Sequence, residues 1–337
     1  MRVSRFRKNA FPVIATFAAW GAFAAAISLQ SNAYAGTLAK TSAPAELTIP
    51  GEKIYPESLS AAADGRIFIG SIVTRQIFVV RPGAATADPW IGADNEPTLG
   101  VYGVFADDRK NTLWACFSSF PGSHGSAQAP SALTAYDLQT GKLKARYVFP
   151  SPDAFCNDIA VGPDGSTYVT DTNNMEIDRL GSGDGRLQVW AGNGGFGPKG
   201  GVLDGISVLG NRVFVNTLGT NKIFAIPIGN DGKAGGIAAV VLNRPIEAPD
   251  GMRSFGKDSV LLVESGGLGR LTLLKIEGNM GELTTLKEGF PGGPVSVAVV
   301  GTTGYVLEGQ LSALFGPAGT RPAPTPFRAT AVEVGKP

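Results

Sequence analysis

Six times along this chain, a short polar segment leads into an apolar run, a turn, and a second strand-like run. The third copy, Phe155 to Thr172 (FCNDIAVGPDGSTYVTDT), shows the pattern best. Apolar residues lie on both sides of a Pro-Asp-Gly turn, which is a hairpin signal with a mechanism. The other copies begin at Glu57 (ESLSAAADGRIFIGS), Val101 (VYGVFADDRKNTLWACFS), Asp204 (DGISVLGNRVFVNT), Asp250 (DGMRSFGKDSVLLVES) and Pro294 (PVSVAVVGTTGYVLEG). They recur every 47 residues or so, with room for about four short strands each. That period predicts an all-β, six-bladed β-propeller. Glu46 to Ile49 and Phe327 to Val334 remain at the two ends. Pairing them would close the last blade and remove an open sheet edge. No amphipathic helix and no domain linker is evident, so residues 36–337 read as one domain.

Residues 1–35 stand apart from the repeat. Arg2, Arg5, Arg7 and Lys8 precede an apolar run from Phe11 to Leu29, and Ala33-Tyr34-Ala35 supplies a signal-peptidase site. The segment reads as an export signal cleaved before Gly36, which places the protein in the periplasm or outside the cell without stable membrane insertion. No Arg-Arg pair points to the twin-arginine route.

The four removed charges are all basic, so the balance shifts from +1 for the whole chain to −3. A near-neutral chain without a basic stripe is not a nucleic-acid binder. The 46 glycines punctuate apolar runs and mark turns. One Gly-rich stretch, GNGGFGPKGG from Gly192 to Gly201, lacks the following Ser/Thr and helix that a phosphate loop needs. It reads as an entrance loop leading to Asp204. A second long loop, Ser118 to Ala132, reads as a partial lid. Cys116 and Cys156 fall at the same face of adjacent blades. Either a disulfide or two buried thiols would suit that placement.

In a propeller the starts of the innermost strands converge on one mouth of the central channel. Glu57, Tyr102, Asn157, Asp204, Asp250 and Pro294 are therefore expected to ring it. Carboxylates gathered in a low-dielectric channel repel one another unless a cation or protons neutralise them. Oxygen-only donors suit a hard divalent ion, calcium or magnesium.

PESLS at Glu57, CNDIAVGPDG at Asn157, LDGISV at Asp204 and PDGM at Asp250 together resemble the senescence-marker-protein/gluconolactonase (regucalcin-like) family across essentially the whole chain after the leader. The resemblance implies a six-bladed propeller with one divalent cation, calcium first among magnesium, zinc and manganese. The metal ligands it implies are Glu57, Asp204 and Asp250, with Asn157 lining the same site. The blade-four ligand in the family is Asn, whereas this chain has Asp204. The implied activity is hydrolysis of a lactone or related ester at the channel mouth, with Asp250 or Asp204 taking a proton from water. Substrate-facing positions are Asn157, Phe155, Tyr102 and His124. Sugar-lactone members often carry Arg where this chain has Phe155, which predicts a preference for aliphatic or aromatic lactones and esters. Paraoxonase-like relatives place a His at the opening of blade two, where this chain has Tyr102-Gly103. The only histidine, His124, falls in the blade-two lid. The competing expectation is a non-catalytic propeller that binds a small ligand or a protein partner on the same face. N-terminal sequencing of the exported protein is expected to start at or near Gly36. A full-length, membrane-embedded product would overturn that expectation.

Overall fold

The computed structural model describes residues 43–95, 98–119, 129–197, 201–316 and 326–337. The leader and His124 lie outside the described residues. Each sequence repeat forms one sheet, and in the first four repeats the strands are antiparallel and follow chain order outward. The first strands of the six blades are Pro56–Ala61, Gly100–Asp107, Cys156–Val161, Val202–Leu209, Pro249–Phe255 and Pro294–Val300. Each packs against the first strand of the next blade, and the sixth against the first, which closes the ring of a six-bladed propeller.

The second strands of the first, second, third and fifth blades, Ile67–Ser71, Thr112–Ser118, Thr167–Asp171 and Ser259–Glu264, are buried along their whole length. They are covered on both faces by neighbouring blades, so they lack the in-out alternation of a one-sided strand, although Thr167–Asp171 keeps three buried polar residues. Asp64-Gly65 and Asp164-Gly165 make the tight turns before two of them, with φ of 87° and 79° at the glycines. Each Asp closes its turn by accepting a backbone N–H two residues on, at 3.0 Å from Arg66 and 2.9 Å from Ser166.

Blade six joins the two ends of the domain. Its strands are Pro294–Val300, Thr303–Glu308, Phe327–Glu333 and, outermost, Glu46–Ile49. Phe327, Ala329, Leu47 and Ile49 are fully buried at that seam. Blade five carries an additional short strand, Val241–Leu242, parallel to Met280–Glu288. One expectation fails here: a five-residue helix, Leu311–Phe315, follows the second strand of blade six. A single turn and a half is too short to show a 3.6-residue period.

Cys116 in blade two and Cys156 in blade three are joined in a disulfide, with Cα atoms 5.2 Å apart. The bond lies among Trp114, Leu133, Ile159 and Val169 in the seam between the two blades. Ser118 Oγ crosses the same seam to donate to the Cys156 carbonyl at 2.9 Å. The cross-link closes a loop of 40 residues, which by chain entropy is worth roughly 4 kcal/mol. Reduction should therefore lower the unfolding free energy by about 2–4 kcal/mol in denaturant titrations. Two alkylatable thiols in the native protein would rule the bond out.

Candidate functional site

The channel mouth is made by one irregularity repeated six times. In every blade the innermost strand carries an extra residue relative to its partner strand. The register shifts lie between Pro56 and Leu59, Val101 and Gly103, Cys156 and Ile159, Leu203 and Ile206, Pro249 and Met252, and Pro294 and Ser296. A bulge bends its strand and re-aims the side chain at that point. The residues inside these bulges include Glu57, Tyr102, Asn157, Asp204, Asp250 and Val295. Pro294, expected on the ring, is paired with Glu308 instead, and Val295 takes the sixth place on the cavity wall. A slip of one residue along a strand exchanges which side chain faces the channel.

The residue after the bulge position is glycine in three blades, because the neighbouring strand comes too close for a side chain. A Cβ at Gly103 would lie 2.2 Å from the Asn157 carbonyl oxygen. At Gly205 it would lie 2.2 Å from that of Asp250, and at Gly251 2.7 Å from that of Val295. Side chains on the second strands also fix two of the bulge-residue carbonyls. Thr170 Oγ1 donates to Asp204 O at 2.9 Å, and Asn216 Nδ2 to Asp250 O at 2.6 Å.

Glu57, Asp204 and Asp250 are buried, and each brings a carboxylate oxygen within 4.8 Å of the others. Asn157 Nδ2 donates to Asp204 Oδ1 at 3.0 Å and to Thr172 Oγ1 at 3.2 Å. Its Oδ1 is buried with no hydrogen-bond partner among the described residues. Asp250 Oδ1 accepts the Gly251 N–H at 2.9 Å. Just beneath, Arg253 donates to both oxygens of Asp158, at 3.1 and 2.8 Å.

Burial first, then repulsion from Asp250, Asp204 and Asp158, holds the Glu57 carboxyl well above the usual carboxylate range, against a lowering by Arg253. Asp250 is also pushed well up, by burial and then by Asp204. Burial and Asp158 raise Asp204 to about 7, while the Asn157 hydrogen bond opposes this. Each of these groups favours its protonated form more than an ordinary carboxyl does, and a cation would compete with the proton. Three carboxylates and an unpaired carboxamide oxygen form a hard, oxygen-only donor set, which fits a divalent cation. Glu57, Asn157, Asp204 and Asp250 would hold it.

The site is the floor of a cavity of about 910 Å³. Tyr102 and Phe155 form one wall, with ring centroids 4.6 Å apart at 66°. The Tyr102 hydroxyl is buried without a partner among the described residues, and burial plus Glu57 raises its pKa further above the ordinary phenol value. The opposite wall comes from blades five and six: Leu268, Phe290, Pro291, Leu311 and Phe315. None of these was identifiable from the repeat, because they lie in connections that differ between blades. Thr172 was also missed, although the Asp-Thr at the end of its strand places it one step beyond Asp171, across from Asn157.

The fold and site define a six-bladed propeller with an acidic, cation-compatible cavity at one mouth of its channel. No protein-family model matches the chain, and no curated protein matches it. Solved structures share its fold. A gluconolactonase from Xanthomonas campestris superposes with a TM-score of 0.59 at 15% identity, over 86% of this chain and 89% of that one. Regucalcin from Agrobacterium tumefaciens, described as a calcium-binding protein, gives 0.59 at 11% identity, over 86% and 97%. Virginiamycin B lyase from Staphylococcus aureus gives 0.56 at 19% identity, over 78% and 80%. At these identities the likeness is one of fold.

The raised carboxyls set the sign of a pH dependence. The folded chain keeps protons that the unfolded chain releases near pH 4, so cation-free stability should fall as pH rises from about 4 through about 7. A divalent cation at a hundredfold excess over its Kd should restore about 2.7 kcal/mol at neutral pH and release protons on binding. Asp250→Ala should abolish both effects. Melting curves and calorimetry in two buffers measure them, and a wild-type melting temperature indifferent to cation and chelator would refute the site.

Proposed function

We propose that this protein is an exported, cation-dependent hydrolase that opens a lactone or cleaves a related ester in the channel-mouth cavity. The observation that carries the reading is the convergence of three buried carboxylates and an unpaired Asn157 oxygen on the floor of an apolar-walled cavity. The likeness in fold to a gluconolactonase and to a calcium-binding regucalcin supports it. The Cys116–Cys156 disulfide supports the exported location, since such bonds persist in oxidising compartments.

When bound, a divalent cation, calcium in the first instance, supplies Lewis-acid polarisation of the substrate carbonyl. Asp250 has one oxygen engaged by the Gly251 N–H, which leaves Oδ2 to take a proton from the attacking water. The water oxygen bonds to the carbonyl carbon, and the bond from that carbon to the ring or ester oxygen breaks. The proton held on Asp250 then passes to the departing alkoxide, which gives a hydroxy acid or an acid and an alcohol. Asn157 keeps Asp204 in place and presents its own Oδ1 to the floor. Asp204 is the alternative proton acceptor. The Tyr102 hydroxyl stays protonated and serves as a donor to a substrate oxygen, while Phe155 keeps that side dry.

The purified protein should hydrolyse members of a panel of lactones and aryl esters, and chelator should abolish the activity. Asp250→Asn should lower kcat by about a hundredfold or more, as expected when a general base is removed. Normal cation binding without turnover of any panel member would favour the non-catalytic binder.

A further inference from the structure

We propose that this protein has a second small-molecule site, in the seam between blades two and three at the end opposite the channel mouth, and that it takes a flat aromatic carboxylate. This site does not depend on the hydrolase reading above. The first strands begin at the mouth, so the turns that follow them lie at the other end, Asp108–Lys110 in blade two and residues 162–166 in blade three. Behind these turns is a cavity of about 600 Å³, walled by Trp114, Tyr147, Thr167 and Leu180. Small-molecule sites commonly occupy about 300–1,000 Å³. Two polar side chains in its walls are buried and unpaired. Trp114 is 5% exposed and Thr167 1%, and neither Trp114 Nε1 nor Thr167 Oγ1 has a hydrogen-bond partner among the described residues. An indole N–H can only donate, and a hydroxyl can donate as well. A buried donor left unmet is costly, so two of them in one cavity call for a ligand with acceptor oxygens.

Charge points the same way. Lys110 and Lys144 both line the cavity, and both are held by neutral oxygens. Lys110 Nζ crosses the seam to donate to Gly165 O at 2.6 Å. Lys144 Nζ donates to Thr112 Oγ1 at 2.7 Å and to the carbonyls of Lys110 and Asn111 at 3.1 and 3.2 Å. Neither ammonium forms an ion pair with a carboxylate among the described residues. Carbonyls position such a charge without neutralising it, and Lys110 keeps two N–H groups to offer. Asp184 is the only carboxylate among the described lining residues, and its Oδ2 already accepts the Gly181 N–H at 3.0 Å. The Asp137 carboxylate of the adjoining turn is taken up by Asn111, Gln139 and Thr140. One positive charge is left over, which suits a monoanion. The rest of the wall sets the body of the ligand. Trp114 and Tyr147 stand with ring centroids 6.2 Å apart at 45°, and Leu180 adds apolar surface. Such a wall favours another ring, which can stack or meet these rings edge to face.

The test uses the whole chain saturated with calcium, and 2-naphthoate as the probe. Binding is followed by the indole N–H resonances of protein labelled with 15N-tryptophan, assigned by single Trp→Phe substitutions. No tryptophan is among the described residues lining the mouth cavity, so the Trp114 signal reports the seam even where the probe also meets the cation. That signal should move and saturate with 2-naphthoate. Lys110→Met should weaken the binding about fivefold, as expected for loss of a partly exposed charge. The calcium-induced shift in melting temperature should survive in this variant, which shows that it is folded. The cation 2-naphthylmethylammonium should bind at least about tenfold more weakly than 2-naphthoate, because a carboxylate accepts charge-assisted hydrogen bonds that an ammonium cannot. Acetate, which has no ring, should not displace the probe. Asp250→Ala should leave the midpoint of the Trp114 titration unchanged. A Trp114 signal that stays still, a midpoint indifferent to Lys110→Met, displacement by acetate, or a response lost with Asp250→Ala would overturn the proposal.

Discussion

Beneath the cavity floor, Arg253 of blade five donates to both Asp158 oxygens in blade three and to Ser58 Oγ in blade one, the last at 3.1 Å. Asp158 also accepts the Ile206 N–H of blade four at 3.1 Å. One buried ion pair thus ties four blades together at the point where they crowd most closely. Breaking such a pair from one side typically costs about 3–5 kcal/mol, because the other charge is left uncompensated. It also sets the electrostatics above it. Four carboxylates, Glu57, Asp158, Asp204 and Asp250, share the channel with one guanidinium. The surplus of negative charge is what a divalent cation would relieve.

That arrangement requires backbones closer than ordinary side chains permit. The glycines at 103, 205 and 251 let neighbouring strands touch, and the bulges beside them turn the preceding side chains toward the mouth. Packing and chemistry are therefore set by the same two-residue unit. Asp-Gly in blades four and five supplies a donor for the floor and a gap for the next strand.

This coupling explains what could be read without coordinates. The six-fold spacing gave away the blades, and terminal pairing followed from the two leftover runs. Glu57, Asn157, Asp204 and Asp250 were legible because the repeat places them in equivalent bulges, and the structure gathers their side chains on one cavity floor. Pro294 was misplaced by one step because PVSV offers no polar residue to mark its bulge. The Leu311–Phe315 helix and the wall formed by Leu268 and Phe290 were invisible for a different reason. They lie in connections between strands, where no repeat constrains the sequence and no short segment carries a usable period. Arg253 and Asp158 stood beside the predicted ring, but which charges meet across a channel depends on how six blades are set around it.

The seam in blade six gives the molecule a particular history. Thr48 pairs with Arg328 and Glu46 with Thr330, so a strand from near the start of the domain waits for one near its end. Until Phe327–Glu333 is in place, the ring stays open and two sheet edges stay unpaired, with Leu47 and Ile49 uncovered. Contacts of such long sequence separation form slowly, and exposed edges invite association with other chains. The Cys116–Cys156 bond needs only a 40-residue span and can be set long before. In a chain that forms its local contacts first, this seam closes last, and the closed ring is then guarded by the rate at which the seam opens as well as by its equilibrium.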